Sequence, residues 1–159
     1  MSTDIAGFGI QIQIRASNTF PSGFTVTQVA DDADPFDLPE VVIAESAMGV
    51  NGDLITWSKA NPLMPAVGVV PGSDDDINLG LLFEANRTAK GKQSARDVIT
   101  MIAVYPNGDT LTFTEGRILA GPPGKAVASS GRFKSNVYKF AFENKTDTRA
   151  QSPTVLTGV

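Results

Sequence analysis

Residues 10–15 alternate without a break: Ile10, Ile12 and Ile14 stand against Gln11, Gln13 and Arg15. Successive side chains of a strand point to opposite faces. A period of two with β-branched residues on one side therefore specifies a strand with one face buried and one face wet. A chain that opens its core this way is committed to a sheet whose apolar face must be covered. Two Asn-Gly dipeptides, Asn51-Gly52 and Asn107-Gly108, lie between further extended runs. Asn-Gly accepts the positive φ angles of tight hairpin turns. The first predicts a hairpin with arms at 41–48 and 54–58. The second predicts one with arms at 98–105 and 110–119, in which Leu111 and Phe113 alternate with Thr110, Thr112 and Thr114.

The rest of the chain adds strands and one helix. A second extended run follows Pro21, at 24–29, and an acidic connection at 31–39 holds Pro35, Pro39 and four aspartates, which reads as an irregular loop. A strand at 66–70 stops at Pro71-Gly72. Ser73 suits a helix N-cap, and Asp74, Asp75 and Asp76 place negative charge at the positive end of the helix dipole. Leu79, Leu82 and Phe83 then share one face, and Lys90-Gly91 marks the expected end. Residues 90–96 form a basic loop, and 120–131 a loop rich in Gly, Pro, Ala and Ser. A last strand at 132–142 puts Tyr138, Phe140 and Phe142 on one side. The fold class expected is mainly β: an antiparallel barrel or sandwich of about seven strands with one flanking helix. It occupies a single domain over 1–143, and the polar, aperiodic residues 144–159 are expected to form an extended or disordered tail.

Composition narrows the chemistry. The chain has neither cysteine nor histidine. It thus lacks a disulfide frame, thiolate ligands, and the usual general base and metal ligand near neutral pH. No apolar run approaches the roughly 20 residues needed to cross a bilayer, and the start lacks the pattern of a signal peptide. The formal charge of −4 argues against a protein that grips phosphates. Its distribution is polar: residues 1–85 carry twelve acidic and two basic groups, and residues 86–159 five acidic and eleven basic, or −10 against +6. Either both signs mix on one surface, or an acidic face of one copy meets a basic face of the next; contacts of the second kind build rings or filaments.

Catalytic and ligand motifs fail one by one. Gly121-Pro122-Pro123-Gly124-Lys125 is not a phosphate loop, because Leu119 stands where the first glycine belongs and Ala126 where Ser or Thr must follow the lysine. Asp31, Asp32, Asp34 and Asp37 do not match a calcium loop, which needs a glycine at its sixth position. Ser129, Ser130 and Lys125 match no serine–lysine arrangement. No enzyme activity, cofactor or metal is expected.

Several segments taken together resemble a known group. They are residues 48–53 (Met-Gly-Val-Asn-Gly-Asp), residues 71–79 opening the helix, Asp97-Val98-Ile99-Thr100 with Tyr105-Pro106-Asn107-Gly108, and Ser129-Ser130-Gly131-Arg132 before Tyr138, Phe140 and Phe142. Over about residues 5–143 the chain resembles the tail (inner) tube proteins of contractile-tailed bacteriophages. That resemblance implies a small barrel or sandwich with a flanking helix, six subunits to a ring, and rings stacked into a tube that conducts DNA without binding it specifically. It also implies sheath, baseplate and terminator partners, and assembly in the host cytoplasm into the virion tail. A terminator or baseplate hub of the same fold, or a ligand-binding β-sandwich, are the alternatives. Under this resemblance the charge split gives a specific self-assembly contact: Asp31, Asp32, Asp34 and Asp37 of one subunit against Lys90, Lys92 and Arg96 of another.

Overall fold

The computed structural model describes residues 9–31 and 33–148. Among these, the elements in chain order are β1 (Gln11–Ala16), β2 (Phe20–Val26), β3 (Phe36–Asp37), β4 (Ala44–Met48), β5 (Leu54–Ser58), β6 (Ala66–Val69), α1 (Asp74–Asn86), β7 (Ile99–Val104), β8 (Thr110–Ala120) and β9 (Asn136–Thr148). The fold is mainly β with one flanking helix, as the alternation and turns require. Seven strands form one antiparallel sheet in the order β2-β1-β7-β8-β9-β6-β3, and β4 and β5 form a sheet of their own. The large sheet does not close into a barrel. Among the described residues its ladder ends at β2 and β3, and an isolated bridge, Val29 to Val69, ties the chain leaving β2 to β6.

The core follows from the period of two. Ile12, Ile14 and Ala16 of β1 are buried, as are Ile99, Met101 and Ala103 of β7. Register sets Ile12 beside Ala103 and Leu111, and Ile14 beside Met101 and Phe113. Tyr138, Phe140 and Phe142 of β9 complete this layer, and Leu79 and Leu82 of α1 close it. Each isoleucine, leucine, methionine or phenylalanine among them contributes roughly 1.5–3 kcal/mol by leaving water. At Glu115, where φ is 55°, the alternation of β8 slips, so that the buried positions run Leu111, Phe113 and then Gly116.

Buried carboxylates dock the helix. Ser73 caps it, its Oγ accepting from the Asp76 N–H at 3.2 Å. Asp75 accepts from the Thr27 and Gln28 N–H groups at 2.8 and 2.7 Å. Those donors thus leave the ladder, and β2 ends at Val26 rather than reaching residue 29. Asp76 accepts from Asn136 Nδ2 at 2.7 Å and from the Tyr138 hydroxyl at 3.0 Å. Burial, with the Asp76 charge beside it, pushes the Tyr138 hydroxyl far above its ordinary pKa, so it stays a donor. At the other helix end Asp97, fully buried, accepts from the Asn18 and Thr19 N–H groups at 2.7 and 2.9 Å, from the Thr19 hydroxyl, and from Asn86 Nδ2 at 2.8 Å.

Several boundaries differ from the expected ones. Strand β2 begins at Phe20 and contains Pro21, which is tolerated because β2 is an edge strand. The acidic loop contains β3, paired with β6. The helix stops at Asn86, before Lys90-Gly91, because Asn86 turns its side chain to Leu82 O and Asp97, and Arg87 is extended. Strand β9 starts at Asn136 because 126–134 close a small turn of their own, with the Lys134 N–H on Ala126 O at 2.7 Å. It then runs on through 144–148, paired with the start of β8, so the boundary drawn after residue 143 falls inside a strand. The expected tail beyond Thr148 lies outside the described residues.

Candidate assembly surface

Strands β4 and β5 form an arm. Gly52 has a φ of 86°, its N–H donates to Gly49 O at 2.9 Å, and the Gly49 N–H donates to Asp53 O at 2.7 Å, closing the turn that Asn51-Gly52 predicted. Register runs from Ala44 opposite Ser58 to Met48 opposite Leu54. All ten strand residues are exposed. Val50 at the tip is fully exposed, and Ile43 and Met48 are 74% and 67% exposed. Opposed pairs share a face, so Met48 and Leu54 lie on one face and Ile55 and Trp57 on the other. The arm therefore presents apolar side chains on both sides. A lone two-stranded hairpin is at best marginally stable in water, and contiguous exposed apolar surface marks a binding region. At the root, the Lys59 N–H donates to Ile43 O at 2.8 Å and Asn61 Nδ2 to Val42 O at 2.7 Å.

Two grooves flank the arm's attachment. One of about 760 Å³ lies between Asn61, Val98, Leu119 and Phe142, with Glu115 and Glu143 on its wall. Glu115 shares a hydrogen bond with Glu143 and, with its negative charge, pushes that carboxyl above the usual glutamate value. The other, about 340 Å³, is lined by Leu38, Pro39, Met64, Tyr105 and Phe113.

The charged loops are placed apart within the subunit. Asp31 takes a two-pronged hydrogen bond from Arg132, at 3.0 and 3.1 Å, which holds its carboxyl below the usual range. Asp32 lies outside the described residues. Asp34 is exposed, and Asp37 is exposed on β3. Lys90 occupies the tight turn closed by the Ala89–Lys92 bridge, with Gly91 at φ 75°. Lys92 folds back on the helix end: its Nζ donates to Glu84 O and, at 3.0 Å, to Arg87 O, and it lies 3.4 Å from the Glu84 carboxylate. Arg96 is exposed and has a φ of 52°. Among the described residues, no ion pair joins the acidic loop to residues 90–96.

Sequence reading found the hairpin but not its isolation. The signal was present: Val41-Val42-Ile43 and Leu54-Ile55 are consecutive apolar residues without alternation, which a strand with one buried face does not show. It also took Asp74, Asp75 and Asp76 as helix-start chemistry alone, whereas Asp75 and Asp76 reach across to β2 and β9. In residues 121–125, Gly121 lies close against Tyr138 and Phe83, and Lys125 lies over the Phe133 ring at 5.2 Å. Among the described residues no group of three or more acidic side chains is placed to hold a metal ion, and no helix is long and apolar enough to cross a membrane.

Three solved structures share this architecture. A chain of the 6-fold symmetrised anti-feeding prophage baseplate matches with a TM-score of 0.58 at 12% identity, over 96% of this chain and 100% of that one. A chain of the anti-feeding prophage cap, which terminates the tube, gives 0.54 at 11% identity, over 94% of each chain. A chain of the sheath/tube terminator of the PVC extracellular contractile injection system gives 0.53 at 9% identity, over 94% of this chain and 99% of that one. At these identities the likeness is one of fold. No curated protein sequence matches the chain.

A large antiparallel sheet, one flanking helix and a projecting hairpin make up the fold that the chain shares with these three. More particularly, the chain belongs to the tail fiber protein gp32 family, whose model matches residues 3–146. It is thus a structural protein of a tail or tail-like particle, and its family is not one of enzymes.

Proposed function

We propose that the chain is the inner-tube subunit of a contractile phage tail. Six copies form a ring, rings stack head to tail, and the tube conducts DNA at ejection. The observation that carries this reading is the arm, whose apolar side chains on both faces need a second copy to cover them. Two further features support it. Among the described residues the sheet's edges at β2 and β3 have no further strand beside them, and a ring would pair them. Charges of −10 and +6 in the two halves suit head-to-tail contacts.

Between copies, the proposed polar contact sets Asp34 and Asp37 against Lys90 and Arg96, since Asp31 and Lys92 already have partners within the subunit. Sheath, baseplate and terminator proteins are the proposed partners, and assembly in the host cytoplasm precedes residence in the virion. The net negative charge suits a conduit that does not retain DNA.

A second reading, a terminator or baseplate ring of the same fold, is favoured by the sources of the three similar chains: a baseplate, a cap and a terminator. Negative-stain electron microscopy of the purified protein at rising concentration separates the readings, with Val50→Asp beside it. Open-ended tubes of uniform width that the variant no longer forms support the tube. Single rings at every concentration favour the terminator or hub. Monomers at every concentration overturn self-assembly and leave a ligand-binding module.

A further inference from the structure

The tripeptide Asn-Gly-Asp occurs twice, at 51–53 and at 107–109, and both copies close the same turn. In the first, the Gly49 N–H donates to Asp53 O at 2.7 Å and the Gly52 N–H to Gly49 O at 2.9 Å. In the second, the Tyr105 N–H donates to Asp109 O and the Gly108 N–H to Tyr105 O, both at 2.9 Å. Gly52 and Gly108 have φ angles of 86° and 93°, and both asparagines are exposed. The backbones match, but the side chains differ. The Asn107 amide is held at both ends: Oδ1 accepts from the Asp109 N–H and Nδ2 donates to the Asp109 carboxylate, each at 3.0 Å. Asn51 makes no side-chain hydrogen bond among the described residues. Space around its turn is open, since a Cβ built on Gly52 would meet nothing within 4 Å.

An asparagine amide can be attacked by the backbone nitrogen that follows it, and glycine, having no Cβ, obstructs that approach least. Every other asparagine of the chain precedes a residue with a side chain. We propose that Asn51 is a site of spontaneous deamidation in the free subunit, that Asn107 is protected from the same reaction, and that assembly covers Asn51 and preserves its amide. The last part rests on the self-assembly reading above. The Gly52 nitrogen loses its proton to solvent and bonds to Asn51 Cγ. The Cγ–Nδ2 bond breaks, and the amide nitrogen takes up a proton and leaves as ammonia. Water then opens the cyclic imide at either carbonyl, giving aspartate or an isoaspartate whose main chain runs through Cβ and Cγ. At Asn107 both hydrogen bonds to Asp109 must break before Cγ can swing onto the Gly108 nitrogen. Either product sets a new carboxylate beside Val50 and Asp53 at the tip of the apolar arm. A charge there opposes covering by a second copy, because it must lose its water.

The test incubates the full chain, as subunit and as particle, at mildly alkaline pH, where the backbone nitrogen loses its proton more often. Trypsin puts Asn51 and Asn107 in different peptides, because Lys59 and Arg96 lie between them. Tandem mass spectrometry then locates the amide-to-acid mass change at each time point. In the subunit, Asn51 should convert about tenfold faster than Asn107, the factor that two extra hydrogen bonds supply. Equal rates, or a faster Asn107, would overturn the assigned site. Asp109→Ala removes the acceptor of the Asn107 amide nitrogen and should speed that site by about threefold. An unchanged Asn107 rate in this variant would overturn the assigned cause of protection. In particles Asn51 should convert more slowly than in the subunit, and equal rates would overturn the covering of the tip. Failure of fresh protein to form particles, read by microscopy, overturns the self-assembly reading itself and leaves the subunit comparison to decide the site.

Discussion

Gly116 sits so close against Phe142 that a Cβ built on the glycine would lie 2.1 Å from the ring's Cδ1 and 2.7 Å from the Ala141 carbonyl oxygen. The ring has nowhere to go, since Phe113 lies on it at a centroid distance of 5.2 Å and Phe142 is almost fully buried. Gly116→Ala should therefore destabilise the subunit by roughly 1–3 kcal/mol, the range of an overpacked core. Urea unfolding measures this. A variant as stable as the parent would show that the ring repacks freely.

Asp97 gathers four hydrogen-bond donors from the β1–β2 turn and the helix end. Burial alone would raise its carboxyl pKa, but the bonds from Thr19, Asn86 and the backbone outweigh this and hold it below the usual aspartate value. A carboxyl depressed on folding stabilises the native state above its unfolded pKa, about 3.9, and loses that contribution as pH falls through the folded value. Asp97→Ala should cost about 2–4 kcal/mol at neutral pH, because it strands buried donors. The variant's stability should also fall less steeply with acid than that of the parent. Unfolding titrations at several pH values check both.

Lys92 and its neighbours should behave differently when reversed. Lys92 donates to the Glu84 and Arg87 carbonyls at the helix end, so Lys92→Glu should lower subunit stability by about 0.5–1 kcal/mol. Lys90→Glu with Arg96→Glu touches no described partner and should leave stability within about 0.5 kcal/mol. On the assembly reading, the double variant weakens particle formation, and more so at low salt, where charges are least screened. Thermal unfolding and sedimentation of the same samples separate the two effects.

Glu143→Gln removes one of two facing carboxyls. The Glu143 carboxyl is raised by the hydrogen bond that its protonated form donates to Glu115 and by that residue's charge. A raised carboxyl favours the fold below its unfolded pKa, about 4.3, and that gain is lost as pH rises through the folded value. The parent should therefore lose some stability on going from mildly acidic to neutral pH, and the variant should lose less. Equal pH profiles by calorimetry would count against the repulsion.

Elements with a local cause were legible in the chain itself. Ile12 and Ile14 announced β1 by alternation, Asn107-Gly108 announced its hairpin, and Ser73 announced the helix start. What stayed hidden depends on residues far apart in sequence. Strand β2 stops early because Asp75, about fifty positions on, takes its N–H groups. The helix stops early because Asn86 answers to Asp97. Strand β9 outlasts its apolar pattern because Thr146 and Thr148 gain partners only once β8 is beside them. Of the proposed contact, the residue types were legible, but not that Arg132 and Glu84 would claim Asp31 and Lys92 first.

The strand order also sets a timetable for synthesis. Strands β1 and β2 are made first, yet Ile12 finds its neighbour Ala103 only when β7 has been translated. At roughly 5–20 residues per second, the apolar face of that first hairpin stays uncovered for several seconds on the ribosome. Pairing across such a span is entropically slow even when the whole chain is free. The interval in which a nascent chain is most prone to stick to others is therefore set by topology, between the synthesis of residue 26 and that of residue 99.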